Sequence, residues 1–111
     1  MKKDPFIFLK HILDSIEKIE SYAKNISLDK LKKDVKLQDA IVRRIEISGE
    51  AVRNLSEDFK KKYPQVEWEE IIRTRNKMIH HYFGVDLNIV LDIVKKDLPK
   101  LKKQIEKIIK D

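Results

Sequence analysis

The sequence predicts an all-α fold, an antiparallel bundle of four to five helices, for three reasons. Apolar residues recur at intervals of three and four along every long segment, which is the period of an amphipathic helix. Only 2 of the 111 residues are glycine and 3 are proline, fewer than a turn-rich β fold requires. Hydrophobic residues make up 41% of the chain, enough for one core. With no linker or repeat at this length, we expect one domain over residues 1–111.

The first helix is expected to begin at Asp4-Pro5. The aspartate can cap the first free amides, and proline fits the first helical position because the N–H that it lacks would have no partner there. Ser27 has the hydroxyl needed to cap a second, short helix over LDKLKKD. The first helix extends to about Asn25 along an apolar stripe formed by Phe6, Leu9, Ile12, Leu13, Ile16, Ile19 and Ala23.

A third helix is predicted from about Lys36 to Lys62. The small residues Ser48 and Gly49 near its middle would let another helix approach closely. One narrow sector contains Leu37, Ile41, Ile45, Ser48, Val52, Leu55 and Phe59. The opposite sector is compatible with solvated surface and contains Arg43, Glu46, Glu50, Asn54 and Glu57.

Pro64 is expected to end the third helix, because the residue before a proline avoids the helical region. A fourth helix is predicted from about Glu67 to Tyr82, with Gly84 as its C-terminal cap. Asp86 begins a fifth helix. Asp97 and Pro99 then predict a break or restart before a last amphipathic stretch. The apolar positions of these two segments are Ile89, Val90, Ile93, Val94, Leu101, Ile105, Ile108 and Ile109.

Composition excludes several classes of protein. The absence of cysteine excludes a disulfide scaffold, a cysteine-ligated zinc site, an iron–sulfur cluster and a thiol nucleophile. No apolar run approaches the length of a membrane span, and the N-terminal segment has no cleavage site of a signal peptide, so we expect a cytoplasmic protein without a membrane partner. The net charge of +6 is compatible with a nucleic-acid partner, and equally with a solvated lysine-rich surface.

Arg75 interrupts the apolar pattern of the fourth helix. Measured from Trp68, the sector within about 60° of one direction contains Ile71, Ile72, Met78 and Ile79. Arg75 lies near the centre of that sector, and Tyr82 lies about 20° from it. A guanidinium in an apolar stripe must be paired or face a wet cleft. Arg75 is therefore either a member of a buried ion pair or a functional group in a crevice.

His80 lies about 140° from Arg75 on an ideal helix, so the two side chains cannot meet on one ligand by helix geometry alone. Either the helix loosens near His80, or two copies of the helix form one site in a symmetric dimer. As chemistry, arginine, histidine and tyrosine suit phosphodiester cleavage: arginine stabilises charge on the phosphorane and histidine transfers protons. RNA supplies its own 2′-hydroxyl nucleophile, so neither a metal nor a cofactor is expected.

The segment Arg75-Asn76-Lys77-Met78-Ile79-His80-His81-Tyr82 matches R-x4-H-x-Y and resembles the signature of the HepT-like family of HEPN-domain ribonuclease toxins. Other segments that resemble the family are Ile47-Ser48-Gly49-Glu50-Ala51, Tyr63-Pro64 with Trp68, Tyr82-Phe83-Gly84-Val85-Asp86, and Asp97-Leu98-Pro99. His81 departs from the family, which more often has a small residue there. The likeness extends from Phe8 to Ile109.

The resemblance implies a HEPN-like dimeric bundle and a metal-independent endoribonuclease toxin that cleaves RNA at a dimer cleft. It assigns catalysis to Arg75 and His80, a supporting or substrate-binding role to Asn76 and Glu50, and AMPylation to Tyr82. The AMP would come from ATP, transferred by a neighbouring MntA-type minimal nucleotidyltransferase that acts as antitoxin.

Two other interpretations stay open at the level of sequence. The chain could be a non-catalytic helical partner, or a substrate-presenting subunit, of a nucleotidyltransferase. It could also be a basic nucleic-acid binder without chemistry, although its lysine runs are scattered and no aromatic series accompanies them. A neighbouring nucleotidyltransferase would count against the third interpretation, and an RNA cleavage assay separates the first from the second.

Overall fold

The computed structural model describes residues 4–80 and 86–110, except for the side chains of residues 78–80, and every regular element within these stretches is a helix. The elements are α1 (Pro5–Tyr22), α2 (Leu28–Lys33), α3 (Val35–Asn54), α4 (Glu57–Lys62), α5 (Trp68–His80), α6 (Leu87–Asp92), a π-helical segment (Ile93–Asp97) and α7 (Leu98–Lys110). The predicted all-α class is thus confirmed for the described residues. Four long helical runs, the last formed by α6, the π segment and α7 together, carry most of the chain.

Capping residues begin the helices where the sequence predicts them. The Asp4 carboxylate accepts a hydrogen bond from the Phe6 amide at 2.9 Å, and Asp86 accepts from the Asn88 amide at the same distance. The Ser27 hydroxyl accepts from the third amide of α2 at 3.2 Å. Each cap satisfies one of the amides that a helix N-terminus leaves without a partner.

The helix α3 joins the two halves of the core, because it packs against α1 on one side and against α5 on another. The helix α7 packs against α1, and α2 contacts both α3 and α6. None of the helices within residues 4–80 and 86–110 combines the length and hydropathy of a membrane span. The core residues that are fully enclosed include Leu9, Ile12, Ile16, Ile19, Leu31, Ile41, Val52, Val90, Ile105 and Ile108.

The prediction of one helix from Lys36 to Lys62 is wrong, because the chain breaks after Asn54. Leu55 has an extended backbone, with ψ at 139°. The Ser56 hydroxyl then accepts a hydrogen bond from the Phe59 amide at 3.1 Å and caps the separate helix α4. Leu55 and Phe59 are buried on either side of the break, which is why the apolar spacing resembles that of one continuous helix.

The break expected at Asp97 and Pro99 takes the form of a π segment inside a continuous helix. The Leu98 amide donates to the Ile93 carbonyl, five residues earlier, instead of four. Proline has no N–H, and its ring clashes with the carbonyl four residues before it in an ordinary helix. The wider π turn therefore lets the helix continue past Pro99.

Candidate functional site

Trp68 fixes the start of α5, the helix that carries the R-x4-H pattern. Its side chain is only 5% exposed, and its indole Nε1 donates hydrogen bonds to the Lys60 carbonyl at 3.2 Å and the Tyr63 carbonyl at 3.1 Å. The Phe59 ring packs between Tyr63 and Trp68, with centroid distances of 5.1 and 6.4 Å. Two carbonyls at the end of α4 and just after it thereby gain a donor, and α5 begins beside an aromatic cluster.

Arg75 lies directly over Gly49 of α3. A β-carbon built at Gly49 would lie closer than 3.0 Å to both the β-carbon and the γ-carbon of Arg75, a separation that real side chains essentially never show. The close approach of α5 to α3 at this point therefore requires that residue 49 have no side chain. This is the role that the small residues of the third helix predict.

The guanidinium of Arg75 is held by two oxygens. Its Nη2 donates to Glu50 Oε2 at 2.8 Å, and its Nη1 donates to Asn76 Oδ1 at 3.1 Å. The Arg75 side chain is 19% exposed and that of Glu50 is 50% exposed. The pair thus lies where the seam between α3 and α5 opens to solvent, so a phosphate could reach the guanidinium from outside.

The third nitrogen of the guanidinium, Nε, is buried and has no hydrogen-bond partner among the described residues. A buried polar group without a partner destabilises a fold by about 1–3 kcal/mol. The Ser15 hydroxyl of α1 is likewise buried without a partner among the described residues. Such a group calls for a specific explanation, and binding of a ligand by Arg75 would be one.

The structure brings three of the predicted site residues together: Arg75, Asn76 and Glu50. His80 is the last residue of α5, whose backbone stays α-helical up to it. The predictions for Tyr82 and His81, and the cap at Gly84, fall outside the described residues.

The partner of Arg75 is the feature that helix periodicity missed. Glu50 belongs to the sector of the third helix that periodicity assigns to solvent, and its side chain is half exposed. It reaches Arg75 because the neighbouring Gly49 allows α5 to lie close to α3. The sequence signal was the adjacent Gly49-Glu50 pair, in which a close-approach residue precedes a carboxylate.

A separate cavity of about 230 Å³ opens between α3, α5 and α7. Neither Arg75 nor Glu50 lines it, so it is not part of the arginine site. Within the part of the chain that the structure describes, no three histidine or acidic side chains are grouped to hold a metal ion. The cavity is lined by Ile45, Ser48, Val66, Glu67, Glu70, Ile71, Thr74, Ile93, Asp97, Leu98, Lys100, Leu101 and Gln104.

An all-helical bundle with an arginine anchored at the start of an R-x4-H pattern is what a HEPN-type ribonuclease presents. Residues 12–108 match the model of the HepT-like ribonuclease family, and the chain belongs to this family.

Several relatives share the family. A gamma-glutamylcyclotransferase and candidate RNase of Methanocaldococcus jannaschii is 49% identical over 111 residues, which are all of this chain and 50% of that protein. A candidate RNase of the same organism is 47% identical over 110 residues, covering 99% of this chain and 91% of the relative. A protein of Thermococcus cleftensis named as a probable ribonuclease HepT is 41% identical over 108 residues, covering 97% and 98%. The chain therefore spans half of the first relative and nearly all of the other two. No solved structure matches it.

Proposed function

We propose that the protein is a metal-independent endoribonuclease in which Arg75 and His80 perform catalysis. The observation that carries the proposal is the environment of Arg75. Its guanidinium is largely buried and is held by Glu50 and Asn76, in a chain of the HepT-like family. An arginine fixed in this way is preorganised to stabilise the charge that develops on a phosphoryl group.

The reaction follows from the chemistry of RNA. The 2′-hydroxyl attacks the adjacent phosphorus as a base removes its proton, and the 5′-oxygen of the next nucleotide leaves after receiving a proton. The products are a 2′,3′-cyclic phosphate and a 5′-hydroxyl. His80 transfers protons, since imidazole titrates near neutral pH. Glu50 and Asn76 act as positioning residues that orient the guanidinium.

The proposed active unit is a symmetric homodimer. The helix α5 remains α-helical through His80, which does not favour the alternative that the helix loosens there. On such a helix Arg75 and His80 diverge by about 140°, so a shared cleft needs Arg75 from one copy and His80 from the other. Light scattering at micromolar concentration should give twice the mass of the chain, and a monomer would contradict this arrangement.

The proposed control is that of a toxin–antitoxin pair. By the resemblance to HepT toxins, an MntA-type nucleotidyltransferase would transfer AMP from ATP to Tyr82. The added phosphate would place negative charge near Arg75, and the adenosine would obstruct RNA. Mass spectrometry after incubation with the partner enzyme and ATP should show gains of one AMP each, absent from Tyr82→Phe. An unchanged mass with the nuclease still inhibited would mean that the antitoxin acts by binding alone.

The decisive experiment is an RNA cleavage assay in EDTA. Arg75→Ala and His80→Ala should each lower the rate at least about 100-fold, since charge stabilisation and acid–base catalysis each contribute that much. Arg43→Ala and His11→Ala are matched controls, because both replace exposed residues of the same types that lie on α3 and α1, away from Arg75 and from the face of α5 that carries His80. They should retain activity.

Three outcomes would contradict the proposal. Equal cleavage of DNA would exclude the 2′-hydroxyl mechanism. Full activity of both site variants would exclude the assigned residues. No cleavage by the wild-type protein, with nucleotidyltransferase binding retained, would instead identify a non-catalytic partner subunit.

A further inference from the structure

The helix α7 carries a row of lysines on its solvent side. Lys100, Lys103, Lys107 and Lys110, which we call the lysine face, are all exposed. At 100° and 1.5 Å per residue they fall within a sector of about 80° and extend for about 15 Å along the helix. The opposite side of α7 is buried through Leu101, Ile105 and Ile108. The lysine face is thus a straight row of positive charge.

The lysine face combines a shared direction with few ion-pair partners. On other helices some cations pair with acids three or four residues away, as in Lys18–Asp14 and Arg73–Glu70. The lysines of α2 form no such pair among the described residues, but they do not share one face. On the lysine face, Lys100 approaches Glu67 at 3.8 Å. The other three lysines form no ion pair with any of the described residues.

Like charges three or four residues apart on a helix repel one another, and the lysine face contains three such consecutive pairs. Its four lysines are among the 25 lysine and arginine residues of a chain with a formal net charge of +6. An anionic partner would relieve this repulsion, because it is attracted to each of the lysines.

We propose that the lysine face binds the phosphate backbone of single-stranded RNA and guides it toward Arg75. This inference rests on the proposed function, because it concerns the substrate of that site. Lysines spaced at one helical turn suit a regular polyanion, and each bound phosphate releases condensed counterions. An anionic membrane is disfavoured, because the apolar side of α7 is buried in the core and cannot insert.

The position of the row supports this role. Lys100 contacts Glu67, the residue immediately before α5, so one end of the lysine face lies beside the helix that carries Arg75. Glu67 and Arg75 are eight residues apart, which is about 12 Å along a helix. Gln104, one turn beyond Lys100, donates to the Gln65 carbonyl, so Lys100 is the end of the row nearer to Arg75 and the other lysines lie up to about 15 Å farther along α7.

The test measures binding without cleavage. The probe is a fluorescent 2′-O-methyl oligouridine of about 12 nucleotides, within the usual range of single-strand site sizes, which cannot be cut because its 2′-oxygen is blocked. The variant combines Lys103→Gln, Lys107→Gln and Lys110→Gln. Glutamine has nearly the helix propensity of lysine, and circular dichroism checks that the fold is kept. Fluorescence anisotropy gives the affinity at several salt concentrations.

Each phosphate contact of a single strand contributes about 0.7 to the slope of log affinity against log salt. The triple variant should therefore make the slope shallower by about 2. If the variant and the wild-type protein bind equally at 1 M salt, this difference in slope weakens binding by the variant about 100-fold at 0.1 M salt. The matched control combines Lys30→Gln, Lys32→Gln and Lys33→Gln on α2, which removes the same charge from exposed lysines that do not share one face. It should change the affinity less than about threefold.

Equal weakening in both variants would reduce the effect to net charge and overturn the proposal. No change in either would do the same, as would vesicles of anionic lipid that bind the lysine face more tightly than RNA does. Because the probe cannot be cleaved, a protein that binds it through the lysine face but cuts no RNA would overturn only the nuclease assignment.

Discussion

Replacement of Gly49 by alanine tests whether the contact between α3 and α5 depends on the missing side chain. Two opposing effects are involved. Alanine in a helix interior is intrinsically better than glycine by about 1 kcal/mol. The added β-carbon, however, would lie closer than 3.0 Å to the β- and γ-carbons of Arg75, and overpacking of this kind destabilises by about 1–3 kcal/mol.

The clash is expected to win. The β-carbon of Arg75 is fixed to the backbone of α5, so a rotation of the side chain cannot relieve the contact and the helix itself must shift. We expect Gly49→Ala to lower the free energy of unfolding by up to about 2 kcal/mol net. For a domain of this size, that corresponds to a fall of up to about 8 °C in the midpoint of thermal unfolding. RNA cleavage should fall as well, because Arg75 is displaced.

A double-mutant cycle isolates the contact. In an Arg75→Gly background the opposing β-carbon is absent, and Gly49→Ala should then raise stability by about 1 kcal/mol, its intrinsic helix preference. In an Arg75→Ala background the β-carbon remains, and the same change should still destabilise. Calorimetry of all variants at one protein concentration measures both effects. An increase in the midpoint for Gly49→Ala alone, or the same change in every background, would refute the steric account.

Two further predictions concern local contacts. Ser56→Ala removes the hydroxyl that accepts from the Phe59 amide, so it should lower the free energy of unfolding by about 1 kcal/mol, measured by urea denaturation; no loss would mean that the break does not need this cap. The hydrogen bond to Glu20 raises the pKa of the Lys102 ammonium above its usual value of 10.5. The resulting stabilisation is present below pH 10.5 and is lost as the pH rises through the raised pKa. Glu20→Gln should therefore reduce stability at neutral pH and have little effect above that pKa, and a reduction of equal size throughout would point to packing instead of charge.

The helix boundaries show what local patterns can and cannot predict. Asp4 and Asp86 are predicted and observed as caps, because capping depends on a side chain and an amide two or three residues away. The break after Asn54 was missed because periodicity reports which side chains are buried and not whether the backbone between them is continuous. The sequence signals of this break are the capping residue Ser56 and the acidic pair Glu57-Asp58 that follows it, and the regular apolar spacing conceals them.

The site illustrates the same limit at longer range. Its arginine was found from helical angles alone, since a guanidinium in an apolar sector needs a partner. Its carboxylate partner lies 25 residues earlier on another helix, and pairing over that distance depends on how α3 packs against α5. The roles of Asn76, Glu50, His80 and Tyr82 rest on the family pattern and stay predictions until the cleavage and modification assays are done.

The π segment has a consequence for changes in chain length. Buried positions in the run from α6 to α7 follow intervals of three and four except between Ile93 and Leu98, which are five residues apart. The π turn absorbs the additional residue, so that both side chains still face the core. Deleting Lys95 would restore an interval of four, but it would also place Pro99 in an ordinary helical turn, where proline costs about 3 kcal/mol. The deletion should therefore be tolerated only together with Pro99→Ala. The additional residue of the π turn and the proline thus depend on each other, and a homologous chain that lacks one should also lack the other.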